Sequence, residues 1–462
     1  MTAKEMKKKL ILKKEHLAKL LPDETIAKAD EFCEGYKKFL DTAKTEREAV
    51  SFTVSALKKR GFSEFNKNAK YKQGDKFYKN HKDKALIACI VGEEDIADGV
   101  RLVVSHIDSP RIDLKQNPVY EDAELAFFKT HYYGGIKKYQ WTALPLALHG
   151  VVMTASGNKV EICIGEEQNE PVFCITDLLP HLAAEQNKRK LDEGIKGEEL
   201  NVLIGSRPFR DDKESELVKL NILKLLNEKY GIIEADFMSA ELELVPAHKA
   251  ADIGFDRSLV GAYGHDDRVC AYPSLMAMLD LKTPKHTAVI VLSDKEEIGS
   301  LGNTGLDSTY LQYFIEDLAD MSGVKGRDVL SNSKCISADV NTAFDPTYPQ
   351  VTEKRNAAYL NYGVAMSKYT GRAGKADSSD ASAEFVSEIR QLFDKNDITW
   401  QTAELGAVDI GGGGTVAKYI AYLNVDVVDI GVPVLSMHSP FEIVSKLDTY
   451  MAYRAFSAFM QE

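Results

Sequence analysis

The sequence predicts an α/β protein in which helices flank a central mixed sheet. Short apolar runs rich in β-branched residues alternate with amphipathic helical patterns, and this alternation is typical of a sheet covered on both faces. Between about 117 and 250 the pattern changes to short alternating strands among turn residues and polar helices. The 462 residues, 44% of them apolar, suffice for two or three domains with their own cores.

The composition argues against some classes of binding partner and indicates the cellular compartment. Lys and Arg number 58 against 70 Asp and Glu, for a net charge of −12, which argues against nucleic acid or an anionic membrane as the partner. The six cysteines are scattered without close pairs, as expected in a reducing compartment. No stretch approaches the roughly 20 apolar residues of a membrane span. We therefore expect a soluble, cytoplasmic protein.

The elements follow from periodicity along the chain. Residues 5–60 have helical spacing, and further amphipathic helices are expected near 268–282, 308–321, 380–396 and 441–459. The strand candidates are apolar, β-branched or alternating runs. They cover 85–92, 100–106, 150–154, 159–164, 241–245, 287–293, 334–338, 359–365 and 425–431.

Polar residues follow the ends of several predicted strands. In α/β sheets, ligands bind outside the carboxyl ends of the strands, so these positions are candidates for function. Each one alone also suits a solvated or capping role. They are His106 and Asp108, the pair Asp266 and Asp267, the pair Glu296 and Glu297, Asp339, and His438.

Two histidines with several carboxylates are a donor set that suits Zn²⁺, Co²⁺ or Mn²⁺ better than Mg²⁺. Two metals about 3.5–4 Å apart require a bridging carboxylate and a base that activates water, and the candidates supply both. A serine or cysteine nucleophile is disfavoured, because the chain has no G-x-S-x-G motif and no cysteine beside an evident base. The glycine run at 411–414 lacks the lysine of a phosphate-binding loop.

The motifs and their order resemble the aminopeptidase I family of zinc metallopeptidases, which includes aspartyl aminopeptidase. They are S-H-I-D-S-P (105–110), D-D-R (266–268), E-E-I-G-S (296–300), S-A-D (337–339) and S-M-H-S (436–439). The resemblance runs over most of the chain and implies a discontinuous zinc-peptidase domain over 1–116 and 250–462. A smaller β-rich dimerisation domain would be inserted at 117–249, and homodimers would assemble into a homododecamer.

The resemblance also implies residue roles. His106 with Asp339 would hold one zinc, Glu297 with His438 the other, and Asp266 rather than Asp267 would bridge them. Glu296 would be the general base and Asp108 would orient His106. The implied metal ligands are therefore His106, Asp266, Glu297, Asp339 and His438.

The implied reaction removes the N-terminal residue from a peptide through a metal-activated bridging water, with zinc, or cobalt or manganese in its place. A preference for acidic N-terminal residues is one expectation. However, two substrate histidines of aspartyl aminopeptidases are replaced by Thr342 and Glu185, so the substrate-binding residues stay open. Arg355, Arg372 or Lys375 could offset the charge of Glu185.

Two alternatives remain. The chain could be a di-zinc aminopeptidase of a related family with another specificity, since such enzymes share the H-x-D, D-D-R and E-E signatures. It could also be a catalytically inactive scaffold on this fold. Inactivity normally leaves a ligand or base position empty, and here all of them are filled, which favours an enzyme.

Overall fold

The structure is a computed structural model that describes residues 1–211 and 213–462, and it contains three sheets. Among the described residues, none of the helices has both the length and the apolar character that crossing a membrane requires.

The helices are concentrated at the chain ends and around the largest sheet. Among the described residues they are α1 (Ala3–Leu10), α2 (Leu17–Leu20), α3 (Asp23–Thr42), α4 (Glu46–Lys59), α5 (Leu217–Tyr230), α6 (His265–Asp280), α7 (Tyr310–Met321), α8 (Gly326–Ser331), α9 (Ala383–Lys395), α10 (Ala417–Tyr422) and α11 (Lys446–Gln461).

The strands are mostly short. They are β1 (Ser63–Glu64), β2 (Lys76–His81), β3 (Ala85–Ile90), β4 (Arg101–His106), β5 (Arg111–Asp122), β6 (Leu125–Tyr133), β7 (Leu146–Met153), β8 (Lys159–Ile164), β9 (Cys174–Ile175), β10 (Val202–Gly205), β11 (Ala240–Pro246), β12 (Ala251–Ile253), β13 (Leu259–Ala262), β14 (Ala288–Ser293), β15 (Lys334–Ser337), β16 (Asn341–Thr342), β17 (Val364–Ser367), β18 (Trp400–Thr402), β19 (Asp426–Gly431), β20 (Pro433–Leu435) and β21 (Glu442–Ser445).

The largest sheet has nine strands in the order β1-β2-β3-β14-β4-β15-β19-β17-β18. Its centre is parallel, from β14 through β4 and β15 to β19, whereas β3 and β17 pair antiparallel with their neighbours. One face packs against α3, α6, α9 and α11, and the other against α7, α8 and α10. The predicted α/β fold with a mixed sheet flanked by helices is therefore confirmed.

A second, seven-stranded sheet has the order β8-β7-β11-β5-β6-β10-β9. All of its strand pairs are antiparallel, and it has its own apolar core around Trp141. Its strands run from Arg111 to Pro246, between parts of the chain that build the large sheet. The division into domains at 117 and 249 stays a prediction.

Two expected elements differ from the structure. The strand expected at 359–365 is a turn followed by β17, because the Asp448 carboxylate binds the backbone N–H groups of Asn361 and Gly363. The helix expected over 441–459 begins only at Lys446. Residues 442–445 instead form β21 of a five-stranded sheet, and Ser445 caps α11.

The carboxyl ends of the central parallel strands meet at one edge of the large sheet, and the backbones approach closely there. A Cβ atom on Gly431, the last residue of β19, would lie 1.8 Å from the carbonyl oxygen of Asp339. Only glycine fits at this position without displacing the segment that follows β15.

We expect Gly431→Ala to lower the free energy of unfolding by about 1–3 kcal/mol, because the added methyl group overpacks this edge. Chemical denaturation followed by circular dichroism measures the change. Gly374→Ala is the control, since a Cβ atom there meets nothing within 4 Å. Equal stability of the two variants would contradict the close approach.

Candidate metal centre

Five chain segments bring polar side chains to the carboxyl edge of the large sheet. His106 is the last residue of β4, and Asp339 lies two residues beyond β15. Glu296 and Glu297 open a short 3₁₀ turn after β14. The other two segments lie beside them. Asp266 lies at the start of α6, and His438 follows β20.

The Asp266 carboxylate lies between the two imidazoles. Its Oδ1 is 3.1 Å from His106 Nε2, and its Oδ2 is 3.2 Å from His438 Nε2. Glu297 Oε2 is 3.5 Å from His438 Nε2, and Asp339 Oδ1 is 3.9 Å from His106 Nε2. All five predicted ligands therefore come together, with one carboxylate shared between the two halves.

Asp267 differs from Asp266 in what it contacts. Its Oδ2 accepts the backbone N–H of His106, while its Oδ1 has no hydrogen-bond partner among the described residues. Ligand atoms of His106, Asp267 and Asp339 lie within 4.8 Å of one another, as do those of His106, Asp266 and Glu297. That Asp266 rather than Asp267 is the bridging residue stays a prediction. The contacts of Asp266 with both histidines favour it over Asp267.

Burial and mutual repulsion set the charges of these groups. Burial and the neighbouring Asp266 carboxylate raise the pKa of Glu297 well above its usual value. Burial and Asp267 do the same to the pKa of Asp339. The pKa of Asp266 is lowered because hydrogen bonds with both histidines outweigh the effect of burial. The centre therefore holds more carboxylates than its two imidazoles can neutralise.

The residues fit zinc. Glu297 Oε1 and Asp267 Oδ1 are buried and lack hydrogen-bond partners among the described residues. An unpaired buried anion is costly unless a cation or a hydrogen bond compensates it. Imidazole nitrogens and carboxylate oxygens are the ligands that zinc takes in catalytic sites.

Asp108 links the histidine of one half to the glutamate turn. Its carboxylate accepts the backbone N–H groups of Glu296 and Glu297, both at 3.1 Å. Its Oδ1 lies 3.3 Å from His106 Nδ1, and its backbone oxygen lies 3.0 Å from the same nitrogen. Glu296 lines the cleft beside the centre. Its burial and the nearby negative charges of Asp108 and Asp266 raise its pKa to about 7.

Sequence reasoning missed Glu442. Its buried carboxylate accepts the backbone N–H of Asp266 at 3.0 Å and that of His438 at 2.7 Å. The only signal in the sequence is an acid among apolar residues, in F-E-I-V-S at 441–445.

The segment that carries the second sheet also reaches the centre, which the sequence did not indicate. The Tyr133 hydroxyl donates to Asp108 Oδ2 at 2.8 Å. The Gly135 carbonyl oxygen lies 2.9 Å from His438 Nδ1, across 303 positions of sequence. The candidate ligand His438 and the Asp108 carboxylate therefore each contact this segment.

A cleft of about 570 Å³ opens in front of the centre. Its lining includes Arg372, Lys418 and the glycines at 412–414. Within the part of the chain that the structure describes, neither Thr342 nor Glu185 is among its lining residues. Glu185 is exposed and pairs with Lys188 at 2.6 Å.

The arrangement of histidines and carboxylates around a shared aspartate, at the mouth of a cleft, is typical of metal-dependent hydrolases. The sequence model of the family described as aminopeptidase I zinc metalloprotease (M18) matches residues 39–460. The chain belongs to this family.

Relatives and solved structures agree with that assignment. The chain is 50% identical over 433 residues to a probable M18 family aminopeptidase 1 of Clostridium acetobutylicum, covering 92% of this chain and 93% of that protein. A counterpart in Borrelia garinii is 51% identical over 439 residues, covering 93% and 96%. The crystal structure of an M18 family aminopeptidase from Thermotoga maritima superposes with a TM-score of 0.94 at 43% identity, covering 97% and 99%.

We expect Glu442→Gln to lower the zinc content of the purified protein, because the amide places an N–H group against one of the two backbone N–H donors. Elemental analysis by mass spectrometry measures the metal per chain. Glu388→Gln is the matched control, since Glu388 makes a partly exposed surface pair with Lys334. Equal zinc in both variants would show that Glu442 does not hold the ligands in place.

Proposed function

We propose that the chain is a zinc-dependent aminopeptidase that removes the N-terminal residue from peptides. The observation that carries this proposal is the position of Asp266 between His106 and His438, with Glu296 beside the same cleft. Membership of the aminopeptidase I family supports it.

We assign one zinc to His106 and Asp339, the other to Glu297 and His438, and the bridging position to Asp266. Two zinc ions at these ligands would lower the pKa of bound water and polarise the peptide carbonyl. Cobalt or manganese suits the same donors.

Glu296 performs the proton transfers in this proposal. It takes a proton from the attacking water as the new C–O bond forms, and it gives that proton to the amine as the C–N bond breaks. Asp108 keeps the base in place, because its carboxylate binds the backbone N–H of Glu296 and is itself fixed by the Tyr133 hydroxyl.

The family match favours this enzyme over a di-zinc aminopeptidase of another family. An inactive scaffold is the remaining alternative. It is disfavoured because the proposed base and all five proposed ligands are present and converge.

We expect Glu296→Gln to lower kcat by about 10²–10⁴-fold, the usual contribution of a general base. Its zinc content should remain at the wild-type level, since Glu296 is not an assigned ligand. Turnover of aminoacyl anilides and elemental analysis measure the two quantities.

Glu297→Gln is the comparison for this test, and it should lose zinc as well as activity. A kcat for Glu296→Gln within a few fold of the wild type would refute the assignment of the base. A wild-type protein that holds zinc and yet cleaves no N-terminal residue would favour the scaffold.

We also propose a preference for acidic N-terminal residues, carried by Arg372 and Lys418. Both contact the cleft, and neither forms an ion pair with a described residue. Lys375, which the sequence also suggested, pairs with Asp380 at 2.9 Å and is not among the described lining residues of the cleft. Two uncompensated cations opposite a carboxylate-rich centre can orient a substrate carboxylate.

We expect Lys418→Met to lower the ratio of kcat/KM for N-terminal Asp over N-terminal Leu by about tenfold, or about 1.4 kcal/mol. Lys375→Met should leave the ratio unchanged. A panel of aminoacyl anilides measures both. A wild-type ratio below one, or an equal effect of the two substitutions, would overturn the acidic preference.

We propose that the chain forms homodimers that assemble into a dodecamer. A yeast protein solved as the mApe1 dodecamer shares this fold, with a TM-score of 0.76 at 22% identity. Exposed leucines in the segment of the second sheet, at Leu178, Leu179, Leu182 and Leu191, are consistent with a buried contact between subunits.

We also propose a cytoplasmic location, because all six cysteines are free thiols, as expected in a reducing compartment.

A further inference from the structure

A second group of metal-ligand atoms lies where α4 meets the edge of the seven-stranded sheet. Glu48, His149 and Cys163 each place one ligand atom within 4.8 Å of the other two. None of the three is among the described lining residues of the catalytic cleft. The group combines oxygen, nitrogen and sulfur donors, a set that suits zinc and cobalt.

The fold fixes each donor of this group. His149 and Cys163 are cross-strand partners in the pairing of β7 with β8, so their side chains share one face of the sheet. Glu48 caps the start of α4, where its Oε2 accepts the backbone N–H groups of Lys44 and Thr45. Its other oxygen, Oε1, lies 2.7 Å from His149 Nδ1.

The far side of His149 has the environment of a metal-binding imidazole. Its Nε2 lies 3.0 Å from Glu166 Oε1, and Glu166 is held in turn by Lys44 at 2.8 Å and by Lys249. A carboxylate that accepts from one ring nitrogen fixes the tautomer and leaves the other nitrogen free for a metal. His149 is buried, so this orientation is fixed by its surroundings.

We propose that Glu48, Nδ1 of His149 and Cys163 bind one divalent, thiol-accepting cation of the zinc class, separate from the catalytic centre. A groove of about 300 Å³ lined by Glu48 and Cys163 gives the cation access and leaves room for water as a further ligand. Binding releases the Nδ1 proton of His149 and the thiol proton of Cys163. The cation ties α4 to β7 and β8.

The same cluster is also stable as a metal-free ion network. Burial opposes charge on His149, but hydrogen bonds with Cys163, Glu166 and Glu48 raise its pKa to about 11. The imidazolium completes that network through its contacts with Glu48 and Glu166. The cysteine therefore distinguishes the two states: a metal needs its sulfur, whereas the ion network does not.

Cobalt substitution tests the site independently of peptidase activity. The full-length chain is stripped with a chelator, loaded with Co²⁺, and examined by near-ultraviolet absorption and elemental analysis. The assigned catalytic ligands contain no thiolate, so a sulfur-to-cobalt charge-transfer band reports only on a cysteine site. The variants are Cys163→Ser and, as the control, Cys174→Ser, which removes a half-buried thiol elsewhere in the same sheet.

We expect the band in the wild type and in Cys174→Ser. In Cys163→Ser the band should vanish and bound cobalt should fall by one equivalent per chain, while aminopeptidase activity stays unchanged. Absence of the band from the wild type, its persistence in Cys163→Ser, or its loss from Cys174→Ser would overturn the proposal. The absorption band and the cobalt content do not depend on whether the catalytic centre cleaves peptides.

Discussion

The excess of buried carboxylates over imidazoles at the edge of the large sheet is the constraint on which the site depends. Asp266 is held by both histidines, but Glu297 and Asp339 are left with longer contacts and raised pKa values. Burying unpaired anions is costly, so such a cluster requires bound cations, directed hydrogen bonds or proton uptake to compensate it. A pair of zinc ions would supply that compensation and the Lewis acidity of a peptidase together.

Hydrogen bonds with backbone groups and with side chains distant in sequence hold this cluster in position. The Glu442 carboxylate accepts the backbone N–H groups of Asp266 and His438. The Asp108 carboxylate accepts those of the two glutamates in the turn after β14. Tyr133 and the carbonyl of Gly135 come from the segment of the second sheet. This segment therefore helps to hold the site, and the centre is built from both sheet-forming parts of the chain.

Much of the fold and of the candidate site was predictable, because both rest on local patterns. Buried strands such as β4 and β14 are continuous apolar runs, and a charged residue directly after such a run stands out. The predictions of a strand at 359–365 and of a helix from 441 were wrong for a different reason. Their boundaries depend on Asp448 and on pairing with β13, which are contacts distant in sequence.

The sequence by itself determined the α/β class, the strand ends that carry polar groups, and the donor types that favour zinc. Only the tertiary structure decided which atoms meet. Asp266 contacts both histidines, and Glu442 accepts the backbone N–H groups of Asp266 and His438. Tyr133 and Gly135 reach the centre. The physical reason is range. Periodicity and composition act over a few residues, whereas the hydrogen bonds of the site join segments that lie far apart along the chain.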